Sequence, residues 1–452
     1  MYFAKHLKQL GWEPIVITVD EYQAAYPVMD PSLLEEVKGI KVIKTSTREP
    51  LRFYSLLVSG NSQSGIPQAE VKRKSFFGKA AAYIRGNYFI PDARKGWIPF
   101  AVKAAQKVIR EENILHLITT GPPHSTHLAG LQLKKQFSLN WWIDFRDPWT
   151  DVFYNTSFYR TAKAKQKDEA FEKEVLHSSN GVILTVGGEL QEQLQQKAPG
   201  QRFVVLPNGF DADLMKAIPL AQPKDVFHVV YTGILTHNQS FSELLQLLGG
   251  VSITEPILLS LAGNISHEII DEIKLCVPQV EVVYHGYLSH YEAVRLMKKA
   301  HLLLNFIFKG AQTQMISGKL LEYVATSIPV LSIGNPRSAA GEFISQGSAA
   351  VMLDAKDTKE ISAFIEKVAS QKGSMFNHFP QLDQWSREGL TKRLIDDVLS
   401  THQNALDTTY KNSSHQDKPN FREEEGDGYF CLPLSICEWP KRRLVPLVPQ
   451  LL

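Results

Sequence analysis

The stretch Ser317–Ser332, SGKLLEYVATSIPVLS, decides the class of fold. Ser317 is placed to cap a helix, because its hydroxyl can accept a bond from an N–H two or three residues on. Gly318 lets a ligand approach the backbone closely. Leu320, Leu321 and Val324 form one apolar helical face. Thr326–Pro329 ends the helix, and Val330–Ser332 opens a short buried strand. A helix, a tight turn and a buried strand make the repeating unit of an α/β protein. The same stretch carries candidate chemistry. A free helix N-terminus offers unpaired N–H groups and a positive dipole end, which suits a phosphate. Lys319 in the first turn opposes that dipole, so an anion would relieve the repulsion. Glu322 lies one turn further in, where a carboxylate can accept hydrogen bonds from two vicinal hydroxyls. Ser317, Gly318, Lys319 and Glu322 together suit a nucleoside diphosphate with its ribose. The plain alternative is an amphipathic helix with solvated Lys and Glu.

The alternation extends in both directions. Towards the N-terminus, strands are expected at Phe227–Tyr231, Ile257–Leu261, Val280–Tyr284 and Leu302–Phe306, with helices between them. Three of these strands run into glycine turns, at Thr232-Gly233, Gly263 and His285-Gly286. The repetition puts several tight turns at one edge of a sheet. Upstream, Leu206–Asp211 (LPNGFD) is a turn signature and a domain boundary. Before it, Pro14–Val19, Ile40–Lys44, Ile114–Thr119, Trp141–Asp144, Gly181–Thr185 and Phe203–Leu206 read as strands. Helices are expected over 1–10, 98–112, 127–136 and 160–177. Helices near 357–370 and 386–400 close the second alternation. The predicted organisation is therefore two α/β domains, 1–207 and 208–400, followed by a disordered tail, 401–452, whose 412–427 portion is polar and charged.

Composition narrows the function classes. At 452 residues, with 44% hydrophobic and 21% charged, the chain is long enough for two or three ordinary globular domains. Lys plus Arg is 49 against Asp plus Glu at 47, so no overall field argues for nucleic acid as a partner. Three scattered cysteines suit neither a disulfide framework nor a zinc site, and a reducing, cytoplasmic compartment fits best. No apolar run approaches the roughly 20 residues of a spanning helix.

In the first domain, Trp141–Asp144 ends in Asp144-Phe145-Arg146-Asp147-Pro148-Trp149. Polar residues at the carboxyl end of a parallel strand are where α/β sheets bind ligands. The alternative is a structural ion-pair cluster of Asp144, Arg146 and Asp147 capping the strand. His124 and His127, in the preceding Thr120–His127 segment, are either loop-packing residues or substrate contacts. From Lys72 to Lys95 the chain carries seven basic residues and one acid, Asp92, with Phe76, Phe77, Tyr83, Tyr88 and Phe89 between them. This reads either as a face for anionic lipid head groups or as a solvated helix whose aromatics enter the core.

The ordered run TGPPHSTH, WWIDFRDPW, LPNGFD, YTGIL, HGYLSHYEA and KLLEYVATSIPVL resembles glycosyltransferase family 4, and more closely the bacterial group 1 transferases of surface-polysaccharide assembly. The resemblance covers about residues 1–400. It implies the GT-B architecture, two Rossmann-like domains facing a cleft, with an acceptor-side N-terminal domain and a nucleotide-sugar donor domain after it. It implies sugar transfer with retained anomeric configuration to a saccharide or lipid-linked acceptor. No cofactor or metal is expected, the nucleotide-sugar being a substrate. Donor binding would fall to Gly233, Gly263, His285, Gly286, Ser317, Gly318, Lys319 and Glu322. Catalytic roles would fall to Asp144, Arg146, Asp147 and His127, with His124 on the acceptor side. The implied location is cytoplasmic, peripheral at the inner face of the membrane. Three local departures stand out. Position 314 is Gln314 where many members carry an acid. Thr236-His237-Asn238-Gln239 replaces a stretch that usually holds Arg and Lys. Arg146 lies where a histidine is common. A non-catalytic sugar-nucleotide-binding remnant is the competing reading, and an epimerase of the same architecture a third.

A fourth departure concerns the start. The family opens with a strand and a glycine-rich loop, whereas here Met1 falls inside the helix that follows them. Such a first strand occupies the middle of the sheet. The expectation is a gap beside Pro14–Val19, from a truncated reading of a longer gene. Pro433, Pro440, Pro446 and Pro449 argue against a tail strand filling it.

Overall fold

The computed structural model describes residues 2–20, 22–23, 38–48, 83–151, 159–308, 316–400 and 442–448. Lys72, Arg73, Lys74, Phe76, Phe77, Lys79, Gln314, Cys431 and Cys437 lie outside the described residues. The chain divides into two compact units. One comprises Met1–Ile183, Lys197–Val204 and Thr391–Leu452, and the other Leu184–Gln196 and Val205–Leu390.

The first unit is built on a seven-stranded sheet. Its strands are β1 (Trp12–Val19), β2 (Lys41–Thr45), β3 (His116–Gly121), β4 (Asn140–Phe145), β5 (Gly181–Leu184), β6 (Phe203–Val205) and, last in the chain, β13 (Arg442–Leu447). Their spatial order is β2-β1-β13-β3-β4-β5-β6. The opening helix Tyr2–Gln9 ends as the sequence predicts, with Gly11 at φ +84°, a conformation glycine adopts without strain. β1 follows it, buried at every position but Glu13.

The slot beside β1 is not empty. β13 fills it, parallel to β1 on one side (Trp12 opposite Arg442, Ile17 opposite Leu447) and to β3 on the other (Leu444 opposite His116, Leu447 opposite Thr119). Arg442–Leu447 are thus not part of a disordered tail, and the backbone groups of β1 that were expected to face a gap are covered. Of the four prolines expected to exclude a strand here, only Pro446 falls inside it. One proline removes one ladder donor and leaves the rest of the pairing in place. Leu444, Val445 and Leu447 are buried to 1% exposure or less. Arg443 adds ion pairs to Glu13 and Glu112, each at 3.2 Å.

The second unit is built on a six-stranded, wholly parallel sheet of β7 (Phe227–Thr232), β8 (Ile257–Ala262), β9 (Glu281–Tyr284), β10 (Leu302–Phe306), β11 (Val330–Ile333) and β12 (Ala350–Leu353), in the order β12-β11-β10-β7-β8-β9. Helices cover both faces. Phe227, Val229 and Tyr231 of β7 enter one apolar cluster and Val230 the other. Burial on both faces is why these strands read as unbroken apolar runs.

Candidate functional site

In the second unit the three strand-end glycines lie side by side. Gly233, Gly263 and Gly286 have φ of +128°, +124° and +69°. The Gly233 N–H donates to Ala262 O and the Gly263 N–H to Gly286 O, both at 2.8 Å. A Cβ on Gly263 would fall 2.1 Å from Gly233 O, so this edge can be assembled only without one. The result is a row of bare backbone at the carboxyl end of β7, β8 and β9.

Beside that row stands the helix Gly318–Ala325. Ser317 caps it as predicted, its hydroxyl accepting from the Leu320 N–H at 3.3 Å. The N–H groups of Gly318 and Lys319 keep no acceptor among the described residues. Lys319 reaches back over the sheet edge. Its ammonium sits 4.2 Å from the Tyr231 ring centre and 5.9 Å from that of Tyr323. A Cβ built on Gly233 would lie 3.5 Å from it. Among the described residues no carboxylate pairs with it. Loss of solvent pushes its pKa down to about 7. Two rings, a positive helix end and no counter-ion make this a place where an anion would be taken up with a proton.

Glu322 is not open in the way its spacing suggested. His290 Nε2 lies 2.8 Å from its Oε1, and Arg387 approaches the same oxygen at 4.0 Å and Asp211 at 3.7 Å. The hydrogen bond to Glu322 raises the His290 pKa, against the opposing effect of burial. Sequence reasoning missed His290, Arg387 and Asp211. His290 and Asp211 were within reach: each lies inside a quoted motif, and each opens a helix at a capped N-terminus. Arg387 carries no local signal, since only the folded chain brings it to Glu322. His285 is bound from behind, its Nε2 3.2 Å from Ser260 Oγ. The Thr236–Gln239 turn, where cations were lacking, is tied inward: Gln239 donates to Phe306 O at 3.2 Å and to the Tyr231 hydroxyl at 3.3 Å.

In the first unit the DFRDPW strand end forms the expected ion pair. Arg146 Nε donates to Asp144 Oδ2 at 3.0 Å, and Thr120 donates to the same oxygen at 3.2 Å. Asp144 Oδ1 is buried with no hydrogen-bond partner among the described residues. Burial works against the Arg146 charge, but Asp144 and the Tyr2 hydroxyl outweigh it, so the guanidinium is held protonated. It also lies over the Phe3 ring, 5.4 Å from its centre. Burial raises the Asp147 pKa, and Arg146 opposes the rise.

The two histidines are packed in. His124 stacks on Trp149 with ring centres 4.9 Å apart and 5° between the planes. His127 has no exposed surface and meets Thr119 Oγ1 through Nδ1 at 2.9 Å. That hydroxyl also accepts from Trp141 Nε1. Among the described residues His127 Nε2 is buried without a hydrogen-bond partner. Burial pushes the His124 pKa down to about 3, against a hydrogen bond to the Pro148 carbonyl, and that of His127 well below its ordinary value. Both rings are held neutral by burial.

No protein-family model matches the chain, and no curated protein matches it. Solved structures do match in shape. Sucrose-phosphate synthase from Thermosynechococcus elongatus aligns over 91% of this chain and 92% of its own, with 14% identity and a TM-score of 0.52. A glycosyltransferase from Rickettsia africae ESF-5 aligns over 92% and 94%, with 13% identity and a TM-score of 0.51. The chain therefore shares the two-sheet α/β fold of the GT-B class.

Proposed function

We propose that the protein is a glycosyltransferase that takes a sugar from a nucleotide-sugar donor. The observation that carries this reading is the edge of the second sheet, where three glycines, the Gly318–Ala325 N-terminus and Lys319, which meets no carboxylate among the described residues, converge. Backbone N–H groups and one desolvated cation suit a diphosphate. Glu322, held at Oε1 by His290 and Arg387, is positioned for the donor's ribose. The two solved structures that share the fold, a sucrose-phosphate synthase and a glycosyltransferase, are consistent with this. The finer reading is retaining transfer to a saccharide or lipid-linked acceptor in surface-polysaccharide assembly, with the Asp144–Asp147 strand end on the acceptor side. Protein groups rather than a metal would balance the leaving diphosphate.

Titration calorimetry with UDP-, GDP- and ADP-linked hexoses tests it. Wild type should bind one of them, and near pH 7.5 in two buffers the heats should differ in the sense of proton uptake by Lys319. Lys319→Ala and Glu322→Ala should each weaken binding about 10- to 150-fold, the loss of a charge-assisted hydrogen bond. Unchanged affinity in both variants sinks the assignment. The second reading, binding without turnover, is favoured by the inward-tied Thr236–Gln239 turn. Binding with neither transfer nor donor hydrolysis would select it.

A further inference from the structure

A line of three polar side chains crosses one face of the second sheet. His228 lies on β7, Ser260 on β8 and His285 directly after β9. His228 is opposite Leu258, two residues before Ser260, and Ser260 is opposite Val283, two residues before His285. Side chains two apart share a face, so the three run diagonally from near the start of β7 to the glycine edge. His228 and Ser260 are buried to 4% and 2% exposure, whereas His285 is exposed. Polar groups buried in an apolar sheet are costly unless bonded, and these are bonded to one another. His228 Nδ1 lies 3.0 Å from Lys299 O, His228 Nε2 lies 2.9 Å from Ser260 Oγ, and His285 Nε2 lies 3.2 Å from the same Oγ. The His228 N–H is tied as well, donating to His301 Nδ1 at 3.0 Å.

One carbonyl decides where every proton in the line sits. Lys299 O can only accept, so His228 carries a proton on Nδ1. Burial lowers the His228 pKa, so the ring is neutral near pH 7.5 and its Nε2 can only accept. Ser260 therefore donates to it. With its proton used there, Oγ can only accept from His285, which carries its own proton on Nε2. Burial and the nearby Lys299 charge lower the His285 pKa too, so its other nitrogen, Nδ1, is a bare lone pair.

That lone pair stands at the edge assigned to the donor. The His285 N–H donates to Leu261 O, and the next residue, Gly286, accepts from the Gly263 N–H, so His285 belongs to the glycine row. Five residues on, His290 holds Glu322. A lone pair repels phosphate oxygens and attracts an N–H or O–H. Lys319 and the Gly318–Ala325 N-terminus suit the phosphates, which leaves His285 for the nucleoside.

We propose that Ser260 and His228 are positioning residues for donor recognition: they lock His285 with its proton on Nε2, so that Nδ1 accepts a hydrogen bond from an N–H or O–H of the donor's nucleoside. Neither touches the donor, since both are buried behind His285. The inference rests on the preceding reading of this edge and adds which part of the donor His285 meets and what sets its polarity.

Nitrogen NMR of the full chain, isotope-labelled in its histidine rings, reads the lock directly, because protonated and bare ring nitrogens resonate far apart. His285→Gln identifies the signals among the 14 histidines. Wild type at pH 7.5 should show His285 as one tautomer with its proton on Nε2. His228→Leu frees the Ser260 hydroxyl to donate to His285 instead, so the His285 proton should move to Nδ1. Ser260→Ala should leave a mixture of tautomers, and Ser260→Thr, which keeps the hydroxyl, should restore the wild-type signal. Binding is then measured with whichever of UDP, GDP and ADP the wild type takes, beside ribose 5-phosphate and pyrophosphate. His228→Leu should weaken the nucleotide about 10- to 100-fold, because it sets a donor against a donor. Ser260→Ala should weaken it about 3- to 10-fold, with Ser260→Thr close to wild type. Pyrophosphate affinity should be unchanged in all three, whereas Lys319→Ala should lower it. A deficit shared by ribose 5-phosphate assigns the contact to a ribose O–H, and one confined to the nucleotide assigns it to a base N–H. Thermal melts check folding, and where His228→Leu fails to fold the two Ser260 variants decide alone. The proposal is overturned if wild-type His285 carries its proton on Nδ1, if the tautomer ignores the substitutions, or if the lock variants bind the nucleotide as wild type does. A wild type that binds none of the three nucleotides refutes the donor reading itself, and the role given to His285 falls with it.

Discussion

The two sheets are made of the same kind of strand but are assembled differently. Every strand of the second comes from one continuous stretch, 227–353, and the longest reach between paired strands is from β7 to β10. The first takes its third strand from residues 442–447, more than 300 positions after β3 in the chain. Loop closure costs grow only with the logarithm of length, so distance alone does not make β13 weak. It does make β13 late in the sequence: the slot between β1 and β3 is filled by residues far from both. The second sheet has no such dependence. Local pattern therefore suffices to specify one sheet, whereas the other also needs a specific distant segment.

The strongest way to break the comparison is to remove the late strand's grip. Val445 is fully buried in β13. Val445→Asp puts a charge there with no partner, and such a change costs about 3–5 kcal/mol. We expect amide exchange in β1 and β3 to accelerate by several hundredfold or more, while β7 and β8 in the second sheet keep their protection. Equal acceleration in both sheets would show that they do not differ as argued.

The next test strikes the second sheet at its own weak point. Gly263→Ala introduces a Cβ 2.1 Å from Gly233 O at φ +124°. Overpacking and backbone strain together amount to about 3 kcal/mol. The first unit's Gly11 is a control, with φ +84° and nothing within 4 Å of a Cβ. Gly11→Asn should cost under about 1 kcal/mol, because Asn tolerates this conformation. Thermal melts of the two variants decide the matter, and similar losses would mean that crowding at the glycine row is relieved by a shift of the edge.

How far the sequence could be read follows the same division. The β7–β11 strands, the Ser317 cap and the three turn glycines were all legible, because each depends on neighbours within a few positions, whereas β12 at Ala350–Leu353 was not read. The grouping of His290, Arg387 and Asp211 around Glu322 was not, since those partners come from three separate stretches and no pattern joins them. β13 was misread for a related reason. Prolines near a segment argue against a strand in general, but the strand is decided by Leu444, Val445 and Leu447 meeting an open slot, and that slot exists only in three dimensions. Beside the DFRDPW strand end, of the two readings offered for His124 and His127 the structure bears out packing, although its agents, Trp149 and Phe145 closing over them, come from another stretch.

Acid should blur the difference between the sheets. In the second unit His301 Nδ1 accepts from the His228 N–H at 3.0 Å, so protonation there breaks a buried bond. Burial pushes the His301 pKa down to about 4 from the model-peptide 6.5. A depressed folded pKa means that stability is complete above the unfolded value and is lost as pH falls from about 6.5 towards the folded value. At pH 5 the loss from His301 alone is about 2 kcal/mol. His124, held near 3 in the first unit, has the same sign and a wider window. Urea melts at pH 7.5 and 5.0 should show both units weakened, and His301→Gln should flatten the dependence only for the second. A second unit as stable at pH 5.0 as at pH 7.5 would remove the histidine argument.

The smallest effect concerns what aligns β13. Arg443 faces Glu13 on β1 and Glu112 beyond the helix Ile98–Glu111, and Glu112 also holds Lys41 at 2.7 Å. One cation thus bridges the neighbouring strand and the end of the helix. The partners are partly exposed, at 46% for Glu13 and 25% for Glu112. Pairs of this kind contribute about 0–1 kcal/mol each, because solvent screens them. Arg443→Met keeps the stem and removes the charge, so the expected loss is about 1 kcal/mol or less at low salt and nearly nothing at high salt. If register depends on Arg443, that small loss should come with a change the energy does not reveal: exchange protection shifting by one residue along β13 while its total stays constant. A one-residue slip would move Leu444 and Leu447 to the opposite face, so the apolar pattern resists it, and the expected result is an unshifted protection pattern with a slightly lower melt. A shifted pattern would show that charge, and not Leu444, Val445 and Leu447, decides how the late strand seats.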